Sequence, residues 1–253
     1  INRGFAAANN RGIRESMGKY LLLLNSDTML SRGALEGTVG FAEEMNLKGI
    51  VGCKLLNSDG TLQPSVRSFP TIMNVASETF FLSGLFPHSR IFGKYYMSFF
   101  DYSAPAEVDW VMGAFLMFHR DVLEAVGMLD ERFFMFGEEV DFCYRARQSG
   151  FRTWYFPGAS VFHRWGGSSK TFYTRILWTK GSQLLFFQKH NHGIRRYTLY
   201  ALLVIGMILR IPFHLSQGLF LMKSDPIHKA YCYARAAVTL PFHLMNQSIY
   251  RQP

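Results

Sequence analysis

The feature that most constrains this chain is the run Tyr20-Leu21-Leu22-Leu23-Leu24, which stops abruptly on Asn25-Ser26-Asp27-Thr28. A short continuous apolar run bounded by turn residues predicts a buried strand, of the kind found in the middle of a parallel sheet covered on both faces. In open α/β sheets the ligand sits beyond the carboxyl ends of the strands. The run therefore delivers Asp27 to a site. A second reading is that Asn25, Ser26 and Asp27 cap a helix starting near Arg32, since these residue types favour caps and turns.

The rest of the chain repeats the alternation. A turn and a short helix from about Ala7 to Met17 precede the run, and Asn9 and Asn10 are expected to face the same crevice as Asp27. After Asp27 come a helix (32–44), a strand (49–56) and a hairpin-type turn, Asn57-Ser58-Asp59-Gly60. Such alternation is the mark of a layered α/β fold. Pro64, Pro70, Pro87 and Pro105 punctuate an aromatic, partly helical excursion over 62–106. Order returns with a strand over 108–118 that has Gly113 at a point of close approach. A helix over 120–126 follows, then an acidic-started helix from Glu138 to about Ser149, stopped by Gly150. Two apolar segments, 153–156 and 159–162, lead to His163-Arg164-Trp165-Gly166-Gly167-Ser168, whose glycines suit a loop closing over a ligand. With no initiator Met, no leader pattern and no strand ahead of residue 1, the domain's first strands are expected upstream.

Charge divides the chain. From Arg164 onward there are 12 Lys and Arg against the single acid Asp225, while the preceding residues hold 15 basic and 17 acidic side chains. A near-neutral body with a basic tail suggests nucleic acid or an anionic membrane. The Phe, Leu, Tyr and Met content of the tail favours the membrane, where apolar insertion and basic attraction add. Three helices are expected there, over 171–189, 197–215 and 228–245. The uninterrupted apolar run, Leu199 to Leu209, falls short of the ~17–25 residues of a membrane span and is broken by Arg210 and Pro212. An interfacial helix is the first expectation, a tilted span with Arg210 snorkelling the second. Cys53, Cys143 and Cys232 are scattered and odd in number, which predicts a reducing compartment without disulfides or a zinc knuckle.

Three ionisable groups stand at predicted strand ends or helix starts: Asp27, the pair Glu138/Glu139, and His163. A carboxylate and an imidazole from different strand ends can share a divalent cation completed by phosphate oxygens and water. Glu138 and Glu139 otherwise complement the helix dipole, and Asp141 with Arg145 reads as an i,i+4 pair on a solvated face. His163 serves either as a ligand or as a satisfied structural histidine.

Four blocks together resemble family 2 glycosyltransferases, the bacterial rhamnosyltransferase-like branch in particular: 2–10 (NRGFAAANN), 24–28 (LNSDT), 130–142 (DERFFMFGEEVDF) and 163–168 (HRWGGS). The resemblance covers about 1–170 and implies a GT-A nucleotide-sugar-binding fold, a Rossmann-like mixed sheet flanked by helices. The tail, 171–253, is similar to the membrane-associated helices that often follow this domain. The resemblance further implies an inverting transfer of a sugar, such as the deoxyhexose rhamnose, from a nucleotide diphosphate donor to a lipid-linked or polysaccharide acceptor. That places the protein at the cytoplasmic face of the plasma membrane, with no nucleic-acid partner. Asp27 matches the second acid of a DxD element holding Mg²⁺ or Mn²⁺, His163 a histidine completing the metal site, and Asn25 the replaced first acid. Glu139 matches the general base, an Asp in most relatives, with Glu138 beside it. Gly4, Asn9 and Asn10 match donor-pocket positions and Gly113 one beside the transferred sugar. The rivals are a non-catalytic membrane-attached module and a sugar nucleotidyltransferase, the latter disfavoured by the lack of a Gly-rich, lysine-bearing phosphate loop.

Overall fold

In a computed structural model of the chain, residues 2–164, 171–191 and 193–246 are described. In chain order the elements are α1 (Phe5–Glu15), β1 (Tyr20–Leu24), β2 (Thr28–Leu30), α2 (Ala34–Glu44), β3 (Ile50–Leu56), β4 (Leu62–Gln63) and β5 (Val66–Arg67). Next come α3 (Ile72–Thr79), α4 (Leu82–Leu85), β6 (Ala106–Val108), β7 (Trp110–Val111), β8 (Phe115–His119), α5 (Arg120–Val126), α6 (Glu138–Gln148) and β9 (Thr153–His163). Three long helices follow: α7 (Phe172–His190), α8 (Ile194–Leu221) and α9 (Ser224–Asn246).

The main sheet has the order β1-β8-β3-β9-β2, with β4 added to β3 and β6 to β9. Only β3 and β9 run parallel; the other pairings are antiparallel. The sheet is therefore mixed. β1 is not in the middle of a parallel array, as its apolar run suggested. Among the described residues it ends the sheet, paired antiparallel with β8 alone, and Leu24 is 39% exposed while Leu21 and Leu23 are buried. An apolar run reports burial, and it cannot say how many strands lie on either side.

Strand alternation divides the core into two layers. Leu116 and Phe118 of β8 and Ile50 of β3 point to one face, which also takes α1, α6 and α7. Phe115 and Met117 of β8 and Val51 and Cys53 of β3 point to the other, which takes Ala34, Phe41 and Ala42 of α2. Two segments differ from the sequence reading. The expected strand over 108–118 is three short strands, because β6 joins β9 and β7 leaves to form a separate two-stranded sheet with β5. The two apolar segments 153–156 and 159–162 are instead one strand, β9, whose register against β3 jumps from Phe156 to Ser160. The jump falls on Pro157, which has no amide to give to a ladder.

The basic tail packs into the body. Ile176, Leu177 and Leu184 to Phe187 of α7, and Leu199, Leu203 and Met207 of α8, belong to the same buried cluster as Phe118 and Phe142. Helix α8 also continues through Pro212 to 28 residues, about 42 Å at 1.5 Å per residue, and is long and apolar enough to cross a membrane by length and composition. This corrects the shorter, broken helix expected from Arg210 and Pro212. Arg210 does not reach outward: its guanidinium donates to the Glu78 carbonyl at 2.8 Å and to Gly206 at 2.9 Å, and lies 4.8 Å from the Phe81 ring centre.

Candidate active site

The residues after β1 are held on both sides. The Asn25 amide donates to the Ala114 carbonyl at 3.1 Å, and the Asp27 carbonyl accepts from the Arg164 amide at 2.9 Å. Thr28 pairs with His163 in the β2–β9 ladder. Asp27 therefore reaches the end of β9 through a short strand, not as a helix cap. The outcome is that Asp27 Oδ1 stands 3.5 Å from His163 Nε2, with Asn25 Nδ2 3.4 Å from the same nitrogen.

The state of His163 follows from its other nitrogen. Gln63 donates its amide N–H groups to Asn57 Oδ1 at 2.9 Å and to the His163 carbonyl at 3.3 Å, so its oxygen faces His163 Nδ1, 2.7 Å away. An amide oxygen only accepts, so Nδ1 carries the proton and Nε2 presents its lone pair beside Asp27. Burial holds the imidazole below its usual basicity against the pull of Asp27. A neutral imidazole nitrogen and a carboxylate 3.5 Å apart fit a divalent cation that takes its remaining ligands from a diphosphate and water. Among the described residues no group of three His, Cys, Asp or Glu side chains gathers to bind metal by itself.

The second carboxylate group comes from the start of α6. Gly137 at φ 94° caps the helix, and Phe136 before it is also left-handed at φ 67°. A non-glycine residue in that region stores about 1–3 kcal/mol, a cost met where geometry is over-determined by its surroundings. Here Ser182 of α7 donates to the Met135 carbonyl at 3.3 Å, and a Cβ on Gly137 would sit 3.0 Å from Ser182 Cβ. Glu138 is buried and its Oε2 has no hydrogen-bond partner; Glu139 is half-buried and its Oε2 accepts from the Gly137 amide at 3.0 Å. Burial pushes both carboxyls above the ordinary range, and for Glu138 the Glu139 charge adds to it. The amides at 137, 139 and 140 oppose the rise at Glu139. Of the pair, Glu138 is pushed up the further.

Asn25, Asp27, Gly113, Glu138, Glu139 and His163 all line one cavity of about 310 Å³. Gly113 lies against Glu139, since a Cβ there would stand 3.6 Å from Glu139 Cβ. Gly4, Asn9 and Asn10 do not line it. Asn10 is turned to the opposite side, where its amide donates to the Leu129 carbonyl and to Glu131 Oε1 at 2.9 Å and its oxygen accepts from the Leu129 amide. Asn9 bonds the Phe5 carbonyl of its own helix. Gly4, at φ 91°, lets the chain pass Phe134, whose carbonyl oxygen would be 2.3 Å from a Cβ. The close approach at Gly4 and the side-chain hydrogen bonds of Asn10 hold the 129–134 segment that leads into α6. The Trp165–Ser168 loop lies outside the described residues.

Sequence reasoning missed one wall of the cavity. Arg175, Thr179, Lys180, Ser182, Gln183 and Phe186 of α7 line it, together with Arg67, Glu78, Tyr95 and Tyr96. The signal is the amphipathic pattern of 171–189, whose apolar face suits a protein core as well as a membrane.

Asp27, Glu139 and His163, brought by separate elements to one cavity, stand beyond strand ends of a mixed α/β sheet, where open sheets of this kind take their ligands. The chain belongs to glycosyltransferase family 2: residues 2–177 match the family described as "Glycosyltransferase like family 2", whose fold is of the GT-A type. It is 26% identical over 175 residues to the N-acetylglucosaminyl-diphospho-decaprenol L-rhamnosyltransferase of Mycobacterium tuberculosis, covering 64% of this chain and 56% of that protein. It is 32% identical over 152 residues to the low-salt glycan biosynthesis hexosyltransferase Agl10 of Haloferax volcanii, covering 58% of this chain and 44% of the relative. A solved structure of GalNAc-T7 with UDP, GalNAc and Mn²⁺ superposes with a TM-score of 0.47 at 14% identity, over 74% of this chain and 34% of that one. The chain thus spans about half the length of the curated relatives it matches.

Proposed function

We propose that the protein is an inverting glycosyltransferase that moves a hexose, a deoxyhexose such as rhamnose, from a nucleoside diphosphate to a lipid-linked or polysaccharide acceptor at the cytoplasmic face of the plasma membrane. The observation that carries this reading is that Asp27, Glu139 and His163, far apart in sequence, line one cavity. The mycobacterial relative, by its name, adds L-rhamnose to a polyprenyl-diphosphate sugar, which supports the choice of donor and acceptor class.

Each side chain has a defined task. Asp27 and His163 Nε2 would hold Mg²⁺ or Mn²⁺, which when bound supplies positive charge to offset the charge developing on the leaving diphosphate. Asn25 keeps Nε2 aimed at Asp27. Glu139 takes the acceptor hydroxyl's proton as the new bond from that oxygen to the anomeric carbon forms. The bond from that carbon to the diphosphate oxygen breaks with its electron pair leaving on the nucleotide. A carboxylate acting on the face opposite the leaving group gives inversion, and Gly113 leaves open the space beside Glu139 for the sugar.

The test is calorimetry and turnover on the complete protein. Nucleoside diphosphate should bind at least tenfold more tightly with Mn²⁺ than with chelator, and Asp27→Ala should erase that difference. Equal wild-type affinity with and without Mn²⁺ would remove the cation from the mechanism.

Membrane attachment is part of the same proposal. Exposed Ile194, Leu219, Phe220 and Met222 stand beside exposed Arg195, Arg196 and Lys223 at the two ends of α8. Apolar insertion and attraction to anionic headgroups support one another on such a surface. Replacing both Arg195 and Arg196 by Ala should weaken partition into vesicles containing phosphatidylglycerol roughly 30-fold, at about 1 kcal/mol per charge. Equal partition of the wild type into neutral and anionic vesicles would contradict it.

A further inference from the structure

The wall of the cavity furthest in sequence from the matched motifs contains an incomplete polar site. Glu78, in the last turn of α3, is 8% exposed and lines the cavity. Its Oε2 is 3.6 Å from Lys180 Nζ and the Tyr96 phenol also reaches this carboxyl, but its buried Oε1 has no hydrogen-bond partner. A buried carboxylate oxygen without a donor costs free energy, and a native structure keeps one where something else completes it. Neighbouring groups already have structural duties. Lys180 donates to Gln183 Oε1 at 3.2 Å, and Arg210 is committed to the Glu78 backbone carbonyl, not its side chain.

The chemistry around Glu78 selects the missing partner. The carboxylate faces the Lys180 ammonium, and Arg67 and Arg175 line the same cavity, so a further cation would meet like charge on every side. A carboxylate oxygen only accepts, so the group that completes Oε1 is a donor, and an O–H group donates without adding a charge. Tyr95 and Tyr96 line the same part of the cavity, giving aromatic faces on which an apolar ring surface can rest. A neutral ligand with hydroxyls on its edge and C–H groups on its face is a pyranose. Position then gives its role. The Tyr95 phenol, which burial raises far above its usual range, is in electrostatic range of both Glu78 and Glu139, while Asp27 and His163 are reached from Glu139 across Gly113 and Ala114.

We infer that Glu78, with Lys180, Gln183 and the Tyr95–Tyr96 pair, forms the subsite that holds the sugar ring of the acceptor, Glu78 Oε1 accepting from one of its hydroxyls. This deepens the transferase reading and rests on it, because it is Glu139's proton transfer that makes the neighbouring subsite the acceptor's. It also gives α7 a specificity role within the transfer site.

The experiment uses the complete protein with saturating donor and octyl pyranosides of glucose, galactose, mannose, N-acetylglucosamine and rhamnose as acceptor probes. With the probe that the wild type uses best, Glu78→Gln should raise the acceptor KM at least tenfold with kcat changed less than threefold, and with nucleoside diphosphate affinity within twofold by calorimetry. Tyr96→Ala removes the ring face from a residue that is 43% exposed, so it tests the same wall with the fold intact; it should raise the acceptor KM at least threefold. Unchanged acceptor KM in Tyr96→Ala and in a folded Glu78→Gln would make the cluster a strut between α3 and α7 and overturn the inference. So would equal losses in donor and acceptor binding, or a wild type that hydrolyses donor but uses none of the five probes. Failure of the transferase reading has a separate signature, the absence of any donor hydrolysis by the wild type.

Discussion

Glu139→Gln should lower kcat by roughly 10²–10⁴-fold, the usual contribution of a positioned general base. The substitution keeps the shape and the side-chain oxygen that accepts from the Gly137 amide, so the start of α6 should stay in place. What it removes is the capacity to take a proton. Because burial raises Glu139 above the ordinary carboxyl range, the ionised base is populated only above that raised value. The wild-type kcat/KM profile should therefore fall with decreasing pH at a point above the usual Glu pKa, and the residual activity of Glu139→Gln should lack that limb. The limb belongs to the coupled pair, so its midpoint is a property of Glu138 and Glu139 together. Glu138→Gln is the paired control: Glu138 is the more strongly raised carboxyl of the two, so its loss should change kcat less than tenfold. A silent Glu138→Gln beside an active Glu139→Gln would exchange the two roles. Both variants folded and no different from an inactive wild type would favour a non-catalytic membrane-attached module.

Which parts of the site could be read from sequence follows from the range of the interactions. The meeting of Asp27 and His163 was legible because each follows an apolar strand, and it holds because β1 and β9 run the same way: β1 is antiparallel to β8, β8 to β3, and β3 parallel to β9. Glu139 was legible from the acidic start of α6. The antiparallel placing of β1 was not, because the apolar run is the same whichever neighbour it meets. Asn10 shows a different failure: its motif is in place, but its amide is spent on Leu129 and Glu131, 119 and 121 residues away. Glu78 and α7 were missed for the opposite reason. Composition assigned the whole tail to a membrane, whereas Ile176, Leu177 and Leu184 anchor α7 in the core and turn Lys180 and Gln183 into the cavity. An amphipathic pattern gives the apolar face and does not say whether protein or lipid covers it.

Asp141 turns that ambiguity into a measurement. Sequence alone reads Asp141 and Arg145 as an exposed i,i+4 pair, for which about 0.3–0.5 kcal/mol is expected. The pair is present, at 2.8 Å, but the Asp141 side chain is 0% exposed. Its two oxygens also receive Lys189 at 2.8 and 2.9 Å and His190 at 2.7 Å from the end of α7, and Lys189 continues to Asp130 at 2.7 Å. The cluster therefore joins α6, which carries Glu139, to α7, which carries the opposite wall of the cavity. Asp141→Ala leaves Arg145 with only the Val126 and Met128 carbonyls and Lys189 with only Asp130, and removing the buried carboxylate of such a pair costs about 3–5 kcal/mol. For a chain of this size that is a fall in Tm of roughly 6–20 °C, at 2–4 °C per kcal/mol. Burial alone would raise this carboxyl, but His190, Arg145 and Lys189 outweigh it and the net shift is downward. A depressed folded-state pKa stabilises the protein above the unfolded value, about 3.9, and that contribution is lost as pH falls through the folded value. The wild type should thus lose more stability than Asp141→Ala as pH is lowered from 6 toward 3, and the two unfolding curves should approach one another. A cost below 1 kcal/mol with no such convergence would mean that Asp141 faces solvent after all, and with it would go the rigid link that holds Glu139 opposite Gln183.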